Sequence, residues 1–209
     1  MPKIKPFENY TQRYEVWFER HIYVYESELN ALRKLLPPGK GIEIGVGSGR
    51  FAAPLGIKFG VEPSVKMARL AREKGIEVIM GIAEALPIKD YTFDFALMVT
   101  TVCFLDDIHM AFDEVKRILR PGGYLLVGFV DRESKIGRKY EIHKEESVFY
   151  SIAKFYSTSE VLGYLNKADF IEIEIVQTLF KDLKDIQASE PVKSGCGEGS
   201  FVVIRARST

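Results

Sequence analysis

Apolar side chains recur at three- and four-residue steps through the first part of the chain, which is the spacing of one helix face. The recurring positions are Tyr14, Trp17, Phe18, Ile22, Tyr25, Leu29, Leu32, Leu35 and Leu36. Pro37-Pro38-Gly39 follows directly and is a strong stop signal for a helix. The pattern therefore predicts a helical region over residues 7–36.

Short apolar runs and amphipathic stretches alternate through the middle of the chain. The predicted strands cover 41–46, 57–61, 76–80, 93–99 and 123–130, and the predicted helices cover 64–74 and 107–119, with a short one after Gly49. Strands that alternate with helices predict parallel strands joined by right-handed crossovers. The middle of the chain is therefore expected to form a doubly wound α/β sheet.

The last third of the chain has a different pattern. Residues 131–157 are charged and aromatic without a clear period, and a helix is predicted to follow from Thr158 to about Lys167. Strands are predicted over 170–179 and 201–204. Since no helix fits between these two strands, we expect an antiparallel hairpin around a glycine-rich loop.

The first predicted strand carries one acidic residue, Glu43, and runs into three glycines at alternate positions, which end at Gly49. Glycines at a strand-to-helix turn leave the backbone open to a ligand, because no Cβ stands in the way. A helix N-terminus beyond them offers unpaired N–H groups to an anionic group. The turn therefore predicts a nucleotide-like cofactor, but its G-x-G-x-G spacing differs from the G-x-G-x-x-G fingerprint of dinucleotide-binding proteins.

Composition narrows the function further. The 209 residues are 46% hydrophobic and 28% charged, as in a globular domain, and the formal net charge of zero gives no sign of a nucleic-acid partner. Two cysteines, Cys103 and Cys196, are too few for a disulfide framework and favour a reducing cytoplasm. No apolar run approaches the roughly 20 residues that span a bilayer, and no Cys/His cluster has metal-ligand spacing. Frequent Lys, Glu, Arg and Ile are typical of a thermophilic source.

Four segments resemble the class I S-adenosylmethionine-dependent methyltransferases, and in particular the small-molecule group that includes ubiquinone and menaquinone biosynthesis enzymes. The segments are the glycine turn at 43–49, the acidic strand end at 60–64, the loop at 81–87 followed by 93–94, and the helix end at 114–123. They occur in the order found in the family, across about residues 41–130. The resemblance implies an enzyme that uses S-adenosylmethionine and releases S-adenosylhomocysteine.

The fold that this resemblance implies is a Rossmann-like, doubly wound sheet of seven strands, mostly parallel, with an antiparallel last strand. That expectation agrees with the hairpin predicted from the residues at the C-terminal end. The whole chain is then a single methyltransferase domain. Its expected parts are an N-terminal helical cap over 1–40, a cofactor-binding core over 41–130, a lid-like insertion over 131–157, and a C-terminal helix and hairpin over 158–209.

The resemblance also implies a set of cofactor contacts by motif position: Glu43, Gly45, Val46, Gly47, Gly49, Glu62, Pro63, Ile82, Ala83, Glu84 and Thr100. Glu62 stands where a carboxylate takes both ribose hydroxyls in charge-assisted hydrogen bonds. Glu43 either accepts bonds from turn amides or meets the cofactor's ammonium group through water. Ile82 departs from the family, which usually has an Asp there for the adenine amine, so apolar packing and backbone contacts are expected instead.

For methyl transfer, the protein mainly has to align the acceptor with the cofactor's methyl group and to exclude water, because the sulfonium of the cofactor is already an activated donor. No catalytic residue is therefore predicted, and a base is needed only if the acceptor must first lose a proton. The side chains expected near the acceptor are Tyr14, Trp17, Cys103, His143 and Tyr150. Tyr14 and Trp17 could equally pack in a core, and Cys103 lacks the preceding proline of nucleophilic cysteines in nucleic-acid methyltransferases.

The insertion at 131–157 follows the fifth predicted strand, near the sheet edge where ligands bind, and is predicted to be a lid. The alternative is that residues 131–157 form a solvent-exposed surface loop. The predicted function is in-line methyl transfer to a small-molecule acceptor in the cytoplasm, without metal, nucleic acid or membrane. Two other functions stay open: a cofactor-binding module without transferase activity, and a nicotinamide-dependent oxidoreductase, which the glycine spacing disfavours.

Overall fold

The computed structural model describes residues 3–209, and the strands of this part form one mixed sheet. They are β1 (Gly41–Ile44), β2 (Phe59–Glu62), β3 (Glu77–Met80), β4 (Phe93–Val99), β5 (Leu119–Val130), β6 (Phe170–Thr178), β7 (Lys193–Ser194) and β8 (Phe201–Ser208). Their order across the sheet is β3-β2-β1-β4-β5-β8-β6-β7. The first five pair in parallel, whereas β8 runs antiparallel to both β5 and β6. The predicted fold is confirmed, with the two-residue edge strand β7 added to the expected seven strands.

Helices cover both faces of the sheet. They are α1 (Lys5–Asn9), α2 (Thr11–Arg20), α3 (Ile22–Leu35), α4 (Val65–Glu73), α5 (Ile108–Ile118), α6 (Lys135–Ile142) and α7 (Thr158–Lys167). One apolar layer joins the sheet to α5 and α7 and includes Ile42 and Ile44 of β1. The other joins it to α3 and α4 and includes Leu97 and Val203, and all four of these side chains are fully buried. The sheet is therefore the middle layer of three.

Capping side chains determine where three of the helices begin. Ser64 accepts a bond from the Met67 amide at the start of α4, and Asp107 caps α5 in the same way. Ser157 and Glu160 form a reciprocal capping box at the start of α7. These starts lie within one residue of the predicted ones, because capping is a local property of the sequence.

The helical region predicted over 7–36 is present, but it is divided into three helices. The backbone leaves the helical region at Tyr10 and again at His21. Ile22, which belongs to the predicted apolar stripe, is 43% exposed. Leu29, Leu32 and Leu35 of the stripe are buried as predicted, and the buried face of α3 extends beyond the stripe to Val24 and Glu28.

The prediction of a short helix after Gly49 is wrong. Residues 50–56 form successive turns, and the Ile57 amide closes them by donating to the carbonyl of Ala52 at 2.9 Å. Pro54 has no N–H to donate, and the chain needs only a few residues to reach β2. As a consequence, the glycine turn is followed by turns instead of a helix N-terminus, and the anion-binding argument based on such a terminus does not apply.

Three other details of the second half differ from the prediction. β5 begins at Leu119, which pairs with Phe93 ahead of a register shift. α6 lies in the segment where no period indicated a helix. The alternation predicted along β6 is interrupted near Glu172, whose φ of 51° accompanies a shift in pairing with β8. Glu172 forms an ion pair with Arg207 of β8, an interaction that the alternation alone does not predict.

Candidate functional site

A cavity of about 620 Å³ lies at the carboxyl ends of β1, β2 and β4, which is the edge where α/β sheets bind their ligands. Side chains of α1, α2 and α3, together with residues 140–150, form its other walls. The volume is typical of sites for small molecules and cofactors. The predicted cofactor residues that line it are Gly45, Gly47, Glu62, Pro63, Ile82, Ala83, Glu84 and Thr100, and the predicted acceptor residues are Tyr14, Trp17, His143 and Tyr150.

The glycines of the turn have different surroundings. Gly47 has a φ of 55°, and a Cβ added to it would point toward the Tyr14 hydroxyl and the Met67 methyl, each at 3.6 Å. Gly49 does not line the cavity, and a Cβ there would lie 2.5 Å from the δ-methyl of Ile76. Val46 also lies outside the cavity wall, and its side chain packs over Gly60 of β2. Gly47 thus opens the backbone to a ligand, whereas Gly49 and Val46 pack the turn against its neighbours.

Glu62 ends β2 with its carboxylate directed at the turn. One oxygen accepts the Gly47 amide at 2.8 Å and the other accepts the Ser64 amide at 2.9 Å. Burial raises the pKa of Glu62 to about 7, against the lowering effect of these two bonds. Since a carboxylate has about four acceptor positions, both oxygens can take a further bond from a ligand in the cavity.

Glu43 lies behind the cavity wall and is almost fully buried. Burial raises the pKa of Glu43 well above its usual value, although a bond from the Ala52 amide opposes this and the charge of Glu62 adds to it. Its Oε2 has no hydrogen-bond partner among residues 3–209. The bond from Ala52 corresponds to the turn-ordering role, while a water-mediated contact with a ligand stays a prediction.

The loop after β3 and the loop after β4 meet through Glu84. Its Oε1 accepts the backbone amides of Asp106 at 2.8 Å and Asp107 at 3.3 Å. Both of these aspartates also line the cavity, and the sequence analysis did not identify them. Two consecutive aspartates just before a predicted helix start were the sequence feature that could have identified them. The structure thus supplies carboxyl groups near the loop in which Ile82 replaces the expected Asp.

Thr100 follows β4 with a φ of 51°, which is rare for a β-branched residue. Its amide donates to the carbonyl of Gly128 at 2.7 Å, which holds this conformation. Strained backbone of this kind is often found where a protein shapes a ligand site. Thr100 lines the cavity at the end of the central strand β4.

Aromatic rings form much of the remaining wall. Phe7 of α1 lies 5.4 Å from Phe149 between ring centres, and Tyr140 of α6 lies 4.8 Å from Tyr150. The ring of Trp17 stacks on His21 at 4.7 Å. The sequence analysis identified Tyr14, Trp17 and Tyr150 but missed other aromatic residues of the lining, which are Phe7, Phe18, Phe51, Phe104, Tyr140 and Phe149. These residues are far apart along the chain, so the sequence pattern does not show that they form one cluster in the folded protein.

Two predicted acceptor residues have surroundings that do not suit a reactive role. Cys103 lies outside the main cavity and lines a separate space of only about 20 Å³. Burial raises the pKa of its thiol to about 12, and the Sγ lies 3.2 Å from the carbonyl oxygen of Thr100. His143 lies at the cavity rim with its side chain 62% exposed. A thiol with this pKa stays protonated near neutral pH, which agrees with the sequence argument against a nucleophile.

Glu28 of α3 also lines the cavity, and the sequence analysis missed it. It lies four residues after Val24 and four before Leu32, and all three belong to the buried face of the helix. Burial raises the pKa of its carboxyl to about 8. An acidic residue at the spacing of apolar neighbours was the signal that could have identified it.

The structure also bears on metals and membranes. Among the described residues, no group of three or more His, Cys, Asp and Glu side chains could hold a metal ion. Within residues 3–209, no helix has both the length and the apolar character needed to cross a bilayer.

Comparison with known proteins gives consistent matches. The family described as a methyltransferase domain matches residues 42–127. An uncharacterized protein of Methanocaldococcus jannaschii is 43% identical, over 96% of this chain and 97% of its own length. A demethylmenaquinone methyltransferase of Chlorobaculum tepidum is 30% identical, over 57% of this chain and 53% of that protein.

A solved structure matches the whole fold. The crystal structure of an S-adenosylmethionine-dependent methyltransferase from Thermotoga maritima, described as a possible histamine N-methyltransferase, has a TM-score of 0.97 and 56% identity. The match covers 99% of this chain and 100% of that one.

Proposed function

Because this chain belongs to the S-adenosylmethionine-dependent methyltransferases, we propose that it methylates a small molecule bound against the aromatic wall of the cavity. The observation that carries this proposal is that two chemically different groups of residues line one cavity. Gly47 and Glu62 line it from the ends of β1 and β2, and the rings of Tyr140 and Tyr150 line it from α6 and the segment that follows. We assign the first group to a cofactor with a ribose and the aromatic group to a compact acceptor.

The residues present fit the cofactor. Gly47 leaves room where a Cβ would stand, and the carboxylate of Glu62 has acceptor positions for two ribose hydroxyls. Ile82 and Ala83 would contact the adenine through apolar surface and backbone groups. Thr100 and Pro63 complete the proposed wall between these contacts.

The cofactor supplies an activated methyl group when it is bound, so the chain's own task is to position the acceptor and exclude water. Phe7 of α1 and Phe149 both line the cavity and their rings are in contact, so each contributes apolar surface to its wall. Cys103 is separated from the cavity and keeps its proton, which argues against a covalent relay through this thiol. We therefore propose that transfer is direct, from the cofactor to the acceptor.

The acceptor is proposed to be small because the cavity is bounded by α1, α2 and residues 140–150. The possible histamine methylation attributed to the Thermotoga protein places amines on the first panel of acceptors to test. Cys103 and Cys196 are both free, one buried and one exposed, which supports the proposal of a reducing cytoplasm.

Calorimetric titration of the purified protein with S-adenosylmethionine, S-adenosylhomocysteine and NAD tests this function. We expect binding of the first two and none of NAD. Turnover is then measured as release of S-adenosylhomocysteine with a panel of small amines, alcohols and thiols. Binding of NAD alone would contradict the cofactor assignment, and cofactor binding without turnover on any acceptor would favour a binding module without transferase activity.

A further inference from the structure

Glu28 is a buried acid without a partner. Its side chain belongs to the buried face of α3 and it is only 5% exposed, yet it lines the cavity. Among the described residues no hydrogen bond or ion pair reaches its carboxyl group, and burial is the single cause of its raised pKa. Burying an acid without compensation lowers stability, so an unpaired carboxyl facing a cavity indicates a ligand that pairs with it.

The surroundings of Glu28 are aromatic. Its negative charge contributes to raising the pKa of Tyr14, Tyr140 and Tyr150, which shows that these phenols lie within its electrostatic reach. All three tyrosines line the same cavity. A carboxylate among aromatic faces is a favourable environment for a cation, since both the charge and the ring quadrupoles attract it.

The basic residues of the cavity do not neutralise Glu28. Lys3 donates to the carbonyl of Leu105 at 3.0 Å and lies 3.7 Å from Asp106, and Arg13 is exposed. Neither contributes to the pKa of Glu28. Lys3 and Arg13 therefore do not supply a counter-charge to the Glu28 carboxylate.

Glu28 and Glu62 are carried by elements on different parts of the sheet. α3 packs against β5, β6 and β8, and the cavity residues from that side include Val130 at the end of β5 and Leu183 after β6. Glu62 and the glycine turn belong to β1 and β2, on the other side of β4.

We propose that the methyl acceptor is a small cationic amine, and that the carboxylate of Glu28 binds its ammonium group within the wall formed by Tyr14, Tyr140 and Tyr150. This inference rests on the proposed methyl transfer and deepens it, because it names the charge that the acceptor must carry. A neutral molecule of the same shape would leave Glu28 unpaired and would bind less tightly.

Pairs of probes that differ mainly in charge test the proposal. Tryptamine is compared with tryptophol, and 2-phenylethylamine with 2-phenylethanol, by calorimetry in the presence of saturating S-adenosylhomocysteine. We expect the natural protein to bind at least one amine roughly tenfold to a hundredfold more tightly than its alcohol, as for a hydrogen bond to a charged group. Glu28→Gln keeps the shape of the side chain and should abolish this preference.

Glu26→Gln is the matched control, because Glu26 is exposed on the same helix, and this variant should keep the preference for amines. Unchanged affinity of Glu28→Gln for S-adenosylhomocysteine shows that the variant is folded and that Glu28 does not serve the cofactor. The proposal is overturned if neither amine exceeds its alcohol in the natural protein, if the preference survives in Glu28→Gln, or if that variant loses cofactor affinity instead. Failure of the natural protein to bind S-adenosylhomocysteine would contradict the proposed function itself.

Discussion

At the scale of single residues, three carboxyl groups lie inside the protein with different partners. Glu62 accepts two backbone amides, Glu43 accepts one, and Glu28 accepts none among the described residues. Burial raises the pKa of all three. A protein keeps such groups where their interaction with a ligand offsets the lost stability, so these residues are the ones whose substitution should be most informative.

For Glu62, we expect Glu62→Gln to weaken S-adenosylhomocysteine binding at least about tenfold at pH 8, since hydrogen bonds to a charged group contribute roughly 1.5–3 kcal/mol each. Gln is preferable to Ala because its single amide oxygen can still accept one of the backbone amides of Gly47 and Ser64, whereas Ala would leave both without an acceptor. With a pKa of about 7, Glu62 loses its charge as the pH falls, so the affinity of the natural protein should decrease below pH 7.

Calorimetric titrations from pH 5.5 to 8.5 check this expectation. Glu77→Gln, at an exposed position at the start of β3, is the control and should behave like the natural protein. Equal dissociation constants for the natural protein and Glu62→Gln would refute the proposed contact with the ribose.

At the scale of elements, hydrogen bonds and ion pairs hold the segment 131–157 in place at both ends. Asp131 accepts the Glu133 amide at 2.7 Å and both the amide and the hydroxyl of Thr158, while α6 is held by ion pairs of Lys135 and Lys139 to Asp182. The part between α6 and Ala153 is linked to its neighbours by ring contacts, which include that of Phe149 with Phe7 of α1, and by the ion pair of Lys144 with Glu141. We therefore expect the predicted lid to move in its middle and not as a whole.

We expect backbone amides of residues 143–152 to exchange rapidly in the free protein and to slow when S-adenosylhomocysteine and an acceptor bind, whereas 131–142 change little. Phe149→Ala should reduce this ligand-dependent protection and raise the KM for the acceptor, because the ring contacts with Phe7 and Tyr14 are lost.

Hydrogen exchange followed by mass spectrometry measures the protection. Ile142→Ala is the matched control, since Ile142 belongs to the same segment but is 75% exposed. Slow exchange over 143–152 in the free protein, with no response to either ligand, would show that this segment is fixed structure.

At the scale of the whole molecule, the buried carboxyls and the paired carboxyls have opposite effects on how the free energy of unfolding depends on pH. Glu28 and Glu62 have folded pKa values of about 8 and about 7, above their ordinary value of 4.5, so the folded state keeps protons that the unfolded state releases. Their contribution to stability is complete below pH 4.5 and is lost as the pH rises through the folded pKa values. Glu114 and Asp94 have lowered pKa values, because Arg117 and the Lys40 amide respectively bind them, and they lose their contribution in acid.

We therefore expect the free energy of unfolding of the ligand-free protein to be greatest near pH 5 and to fall toward pH 8. Glu28→Gln should remove part of that decline and be more stable than the natural protein at pH 8 by roughly 4 kcal/mol, since each tenfold difference in acidity between the folded and unfolded states corresponds to about 1.4 kcal/mol. Urea denaturation between pH 4.5 and 8.5 measures it, with Glu26→Gln as the control. Parallel pH profiles for the natural protein and Glu28→Gln would show that Glu28 ionises normally.

The sequence by itself determined the features that depend on near neighbours. Alternating strands and helices, the capping of α4 and α7, the glycine turn and the acidic end of β2 are local patterns, and they led to the family and its cofactor. Gly47 and Glu62 could be identified for the same reason, since each lies at the end of a predicted strand within a motif.

Only the tertiary structure decided which side chains form the aromatic wall of the cavity. The buried face of α3 includes Glu28, and folding brings it near Tyr140 and Tyr150, more than a hundred residues later in the chain. Likewise, Cys103 is separated from the cavity by packing and not by any property of its neighbours in sequence. Periodicity along the chain carries no information on which distant side chains share a cavity, because that is set by how the helices pack across the sheet.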